Sequence, residues 1–127
     1  MEPKNFFFND DIQLDDAENT FAGHLPKDIH SAIKLLESIE IALRFPSYFG
    51  CNWNALYDCL RDFDWIEAKT IYLIHHDLPS LIDDELKIYL EILRDASEDW
   101  QHGESHELRI IFPSSEKNRV LQLLSSP

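Results

Sequence analysis

Between Pro46 and Phe63, polar and charged side chains recur at the spacing of one helical face. Asn54, Asp58, Arg61 and Asp62 stand three and four residues apart, which places them on one side of a helix. Ala55, Leu56, Cys59 and Leu60 fall on the other side and read as core. Asn52 precedes this helix as an N-cap, because its short side chain can accept from the free N–H groups of the first turn. Tyr48, Phe49, Trp53, Tyr57 and Phe63 are expected to surround the polar face with aromatic surface. Aromatic anchors around a few acids are the chemistry of a protein-binding hot spot.

A second acidic set lies further along. Asp84, Glu91, Asp95, Glu98 and Asp99 avoid the apolar stripe of a long helix, and Asp95 and Asp99 are one turn apart on one face. A competing enzymatic reading rests on His75, His76 and Asp77 at a strand end, with His102 and His106 beyond. Adjacent strand residues point to opposite faces, so His75 and His76 cannot easily share a metal. The chain has only three glycines and carries no HExxH, no CxxC, no Gly-rich phosphate loop and no nucleophile elbow. No catalytic residue, cofactor or metal site is assigned.

Periodicity supplies the elements that would position these groups. Residues 28–43 read as a helix, spaced by Ile29, Ile33, Leu36, Glu40 and Leu43 and widened by Ala32, Leu35 and Ile39, with Pro46 as its stop. The motif helix runs from about Trp53 to Phe63. Ile71–Ile74 and Leu108–Phe112 are continuous apolar runs, as expected of strands covered on both faces. Between them lies a helix lined by Leu86, Leu90, Leu93, Ala96 and Trp100, with Ser80 and Asp83 spaced as a capping box. Two strands joined through a helix form a parallel βαβ unit. Thr20–Leu25 is a weaker strand candidate, and Val120, Leu121 and Leu124 suggest a last helix. Phe6–Phe8 is either a short docked strand or part of a tail. The fold class is α/β: a small parallel or mixed sheet of about three strands flanked by helices. Residues 1–127 read as one domain, with an acidic N-terminal extension over 1–19 and a helix or tail over 114–127.

Composition narrows the partner. The chain holds 24 acidic against 11 basic residues, a formal charge of −13. That field disfavours nucleic acid and anionic membrane and favours a cationic partner. Cys51 and Cys59, read as one helix eight positions apart, cannot form a disulfide; unpaired thiols fit a reducing compartment. Neither a secretory leader nor a membrane-length apolar run is visible, so the expected location is the cytoplasm. Oligomeric state is left open.

The stretch Pro46, Tyr48, Phe49, Gly50, Asn52, Trp53, Asn54, Ala55, Leu56, Tyr57, Asp58, Cys59, Leu60 resembles the barstar family, intracellular inhibitors of barnase-type ribonucleases. The family pattern is Pro, a variable residue, two aromatics, Gly, a variable residue, Asn, an aromatic or aliphatic residue, then Asp-Ala-Leu-Trp-Asp-Cys-Leu. The order of elements follows the family from about Thr20 to Phe112. The resemblance implies a three-stranded parallel sheet with packed helices. It implies that the 48–52 loop and the following helix plug a ribonuclease active site, with Asp58 where the RNA phosphate would sit. It further implies an assisting acid near the end of the long helix, with Asp95 the first positional match and Asp99 the second. Asn54 replaces the family's usual Asp, Tyr57 its usual Trp, and Arg61 and Asp62 stand where small or neutral residues are commoner. These departures point to a ribonuclease other than barnase. The expected function is an immunity protein or antitoxin that occludes a cognate nuclease. The alternatives are an acidic nucleic-acid mimic for another basic protein and, behind it, a His/Asp metal-dependent hydrolase.

Overall fold

The computed structural model describes residues 2–11 and 19–126. Four strands, β1 (Phe6–Phe8), β2 (Thr20–His24), β3 (Thr70–Ile74) and β4 (Glu107–Phe112), form one sheet in the order β1-β4-β3-β2. Every pairing is parallel. The α/β expectation holds, with four strands in place of about three. Phe6–Phe8 is the added edge strand, registered on Ile110–Phe112 of β4.

The two central strands are the apolar runs. Ile71 to Ile74 of β3 and Ile110 to Phe112 of β4 are all buried. Alternation divides them between two faces. Ile71, Leu73, Leu108, Ile110 and Phe112 join the main core beneath the helices, whereas Tyr72, Ile74 and Ile111 form a smaller cluster.

Helices α1 (Ala32–Ala42) and α2 (Trp53–Leu60) lie between β2 and β3, and α3 (Asp83–Asp99) between β3 and β4. A short 3-10 turn, Ser114–Glu116, leads into α4 (Lys117–Ser125), which buries Val120 and Leu123. Among the described residues no helix is long and apolar enough to cross a membrane.

Local chemistry corrects several boundaries. The first helix begins at Ala32 and not at Asp28, which has φ 65° and cannot be helical; Ser31 is its N-cap, with Oγ accepting from Lys34 N–H at 3.1 Å. It ends before Pro46 in a Schellman motif: Phe45 N–H donates to Glu40 O at 2.9 Å and Arg44 N–H to Ile41 O at 3.4 Å. Arg44 takes the left-handed position usual for Gly, with φ 56°. The buried stripe is Leu35, Leu36, Ile39 and Leu43, while Ile33 faces solvent. Gly23 of β2 passes under this helix end, where a Cβ would sit 2.8 Å from Ala42 O. The capping box at Ser80 is absent. The long helix starts at Asp83 with Ile82 as N-cap and no side-chain cap, its first turn carrying Asp83, Asp84 and Glu85 toward the helix dipole.

His75 is a core residue. Its Nδ1–H donates to Ile111 O at 2.9 Å, so Nε2 is the acceptor for the Tyr89 hydroxyl at 2.7 Å. Burial holds its pKa down at about 4. The folded protein therefore prefers neutral His75, and the unfolded chain binds the extra proton between about pH 4 and its ordinary value of about 6.5. This contribution is fully present above that ordinary value and is lost as pH falls toward 4. Denaturant unfolding across this range should show stability falling by up to about 1.4 kcal/mol per pH unit from this residue. His75→Gln, which cannot titrate, should flatten that slope; an unchanged slope contradicts the assignment.

Candidate functional site

The loop before α2 is shaped by three small features. Pro46 O accepts from Phe49 N–H at 3.1 Å, which closes a turn. Cys51 then adopts φ 53°, a conformation that costs a non-glycine residue about 1–2 kcal/mol. Asn52 caps the helix as expected, its Oδ1 accepting from Ala55 N–H at 2.8 Å. Cys51 thus lies outside the helix, and both cysteines are free. Burial raises both thiol pKa values, that of Cys59 to about 11, so neither is a ready nucleophile.

The helix divides as its pattern requires. Leu56, Cys59 and Leu60 are buried, and Asn54, Asp58 and Asp62 are exposed. Its end differs from expectation, with Arg61 as C-cap and Phe63 at φ 50°.

Two tyrosines tie the acids down. Tyr48, 62% exposed, donates its hydroxyl to Asp62 and links the loop to the far end of α2. Tyr57 donates to Asp99 and links α2 to the end of α3. The hydrogen bond to Asp62 raises the Tyr48 pKa to about 12, and that to Asp99 raises Tyr57. In each case losing the phenolic proton would set two anions together.

Three expectations need correction. Phe49 (9% exposed) and Phe63 (fully buried) belong to the core, not to the aromatic surface. Phe49 packs edge-on against Phe45, and Phe63 against Trp65 and Trp100. Trp53 is half-buried, with its ring 6.2 Å from that of Tyr89. Arg61 does not stand outward with Asn54 and Asp58. Its guanidinium lies 4.3 Å over the Trp100 ring, and Nη1 is buried without a hydrogen-bond partner. Of the two acids on α3, Asp99 is the one bonded to α2, whereas Asp95 pairs with neighbouring Arg94 at 3.0 Å.

Asp58 differs from the three other candidate site acids, Asp62, Asp95 and Asp99. Among the described residues Asp62 and Asp99 accept from phenols and Asp95 has an arginine, while no hydrogen bond or ion pair engages the Asp58 carboxylate. It projects from the middle of a face bounded by Asn54, Tyr57 and Asp62. Such a carboxylate keeps its full capacity for a partner's cationic donors.

A family model described as barstar, the barnase inhibitor, matches residues 25–113. The chain belongs to the barstar family. It is a barnase-inhibitor-like protein, and nucleases of the barnase type are the partners of that family. The matched barstar region runs from just after β2 to just after β4. No curated protein matches the chain. Among the described residues no cluster of three or more His, Cys, Asp or Glu could hold a metal ion.

The phenol–carboxylate pairs were not foreseen from sequence. Their partners lie 14 and 42 residues apart, and only the tertiary fold brings them together. If Asp62 is what raises the Tyr48 pKa, Asp62→Asn should bring it back toward the ordinary value for tyrosine. NMR-monitored titration of the tyrosine rings, with Tyr48→Phe for assignment, reads this directly. A Tyr48 pKa unchanged in Asp62→Asn refutes the pairing.

Proposed function

We propose that this barstar-family chain inhibits a ribonuclease by seating the α2 face in its active site, with Asp58 as the central anchor. The observation that carries the reading is that, of the four candidate site acids, Asp62, Asp95 and Asp99 have side-chain partners and the Asp58 carboxylate on the exposed face of α2 is unengaged. A site that cleaves phosphodiesters is built from cationic donors for a phosphate, and a positioned carboxylate satisfies the same donors. Tyr48, Asn52, Trp53, Asn54 and Tyr57 frame the anchor, Asp62 and Asp99 extend it, and Asp95 lies one turn from Asp99. Phe49, Phe63 and Arg61 act from beneath by fixing the loop and the helix end. The chain needs no cofactor and performs no catalysis in this role. We place it in the cytoplasm as an immunity protein or antitoxin, with residues 1–127 as one domain. Asn54 and Tyr57, which depart from the usual family pattern at the contact face, favour a cognate nuclease distinct from barnase.

Binding kinetics with the ribonuclease partner separate this from a diffuse acidic mimic. Asp58→Ala should weaken binding at least about a hundredfold, because it strands desolvated cations on the enzyme. Glu91→Ala should change it only a few-fold, since Glu91 is a partly exposed acid paired with Lys87. Asp95→Ala should fall between. Equal small losses for Asp58 and Glu91 would favour the mimic.

A further inference from the structure

His24 ends β2, and His76 lies two residues beyond the end of β3. The strands are adjacent and parallel, with His24 in register with Ile74. Side chains two residues apart on a strand share a face, so His76 returns to the side occupied by His24. Both imidazoles are exposed. His24 Nδ1 and His76 Nε2 are 2.8 Å apart, and the rings are coplanar within 9° with centroids 5.1 Å apart. Those values allow one arrangement: the two nitrogens lie on the line between the ring centres. The rings therefore meet edge to edge, and a single proton lies between two nitrogens aimed at each other.

We propose that this pair is a binding site for a borderline-soft divalent metal ion, of which Zn²⁺ and Cu²⁺ are the representatives. Imidazole nitrogen is the common ligand for such ions, and two of them already converge here. Two Zn–N bonds of about 2.0–2.1 Å at a tetrahedral angle set the nitrogens roughly 3.3 Å apart. The nitrogens must part by about half an ångström and each ring must swing by roughly 35° to turn its lone pair off the line between them and onto the ion, motions that the exposed side chains can make. The backbone positions are held by the β2–β3 ladder.

The surroundings suit a dication. Asp77 follows His76 in the chain, and its Oδ2 accepts from Asp28 N–H at 2.9 Å. His76 also lines a cavity of about 110 Å³ with Asn9, Asp10, Pro113 and the core residue His75. Asp10 is held ionised by Ser114, whose N–H and hydroxyl donate at 2.9 and 2.5 Å. These anions sit at the carboxyl ends of the parallel strands, where α/β sheets commonly place ligands. The protein supplies two ligands and water the others, which describes an exchangeable site and not a structural one. The ion takes the lone pairs that now face each other, so binding replaces the hydrogen bond between the two rings.

The site uses none of the residues of the α2 face. Its test is calorimetric titration of the full chain, stripped of metal with EDTA, with ZnCl₂ and CuCl₂ at neutral pH. One equivalent should bind saturably. His24→Gln and His76→Gln should each weaken binding by more than about tenfold, the minimum seen for disturbing even an outer partner of a metal ligand. His102→Gln, at an exposed histidine outside the pair, should bind as the wild type does. Circular dichroism confirms that each variant is folded, and ring-proton NMR of the wild type should show His24 and His76 shifting together. Absence of saturable binding, or wild-type affinity in a variant carrying both His24→Gln and His76→Gln, overturns the proposal. So does Ca²⁺ binding as tightly as Zn²⁺ with no effect of the histidine changes, since that would assign the metal to carboxylates alone.

Discussion

The last turn of every helix exposes carbonyls that no residue of the helix can satisfy. In this protein two of those ends are covered by other elements, and tryptophan supplies the donor at each. Trp65 Nε1–H donates to Leu43 O at the end of α1, and Trp100 Nε1–H donates to Leu60 O at the end of α2, both at 2.9 Å. Indole gives a large apolar body and one donor, so the same side chain fills space and closes the hydrogen-bond account. Phe63 packs between the two tryptophans, its ring 5.7 Å from Trp65 and 6.5 Å from Trp100. The position of α2, and with it the direction of Asp58, depends on this arrangement. Arg61 lies over the Trp100 ring and places a cation on its π face.

A chain with a formal charge of −13 works against its own compact state, and local acids must be accommodated. Two solutions appear around α2. Asp62 and Asp99 become acceptors for phenols, which draws loop, α2 and α3 together without adding a countercharge. Asp95 takes an arginine. The effect is a surface that stays anionic while its side chains are held in place. Pre-ordered acceptors lose less freedom on binding than mobile ones, so the same number of charges yields a tighter complex.

Much of the fold was legible because it rests on local patterning. The apolar runs of β3 and β4 are central strands, and the Asn52 cap and the polar face Asn54–Asp58–Asp62 follow from spacing alone. What was misread involves residues whose fate is decided by distant partners. Phe49 and Phe63 have the types of surface anchors, yet Phe45, Trp65 and Trp100 enclose them. Arg61 has the spacing of the exposed face, but the helix has ended there and the side chain turns onto α3's terminus. The added edge strand, Phe6–Phe8, is ambiguous in sequence because three aromatics carry no alternation, and only its pairing with β4 decides it. The histidines show the same limit. In sequence His76 stands beside His75, which faces the core, while the ring it meets belongs to His24, 52 residues away on the adjacent strand.

Net charge and site geometry act at different stages of association. The overall field operates beyond contact distance and speeds encounter with any basic surface, and salt screens it over roughly 8–10 Å. It cannot distinguish one cationic protein from another. In the proposed complex Asp58 would act only after water has left the interface, where salt has little access and hydrogen-bond geometry decides the outcome. A chain that relied on charge alone would have no reason to fix Tyr48 to Asp62 or Tyr57 to Asp99, because encounter is indifferent to side-chain order. The two clamps, the buried Phe63 and the tryptophan-capped helix ends all restrict the same few residues. That concentration of constraint is what a shape-specific inhibitor needs and what a general anionic decoy does not.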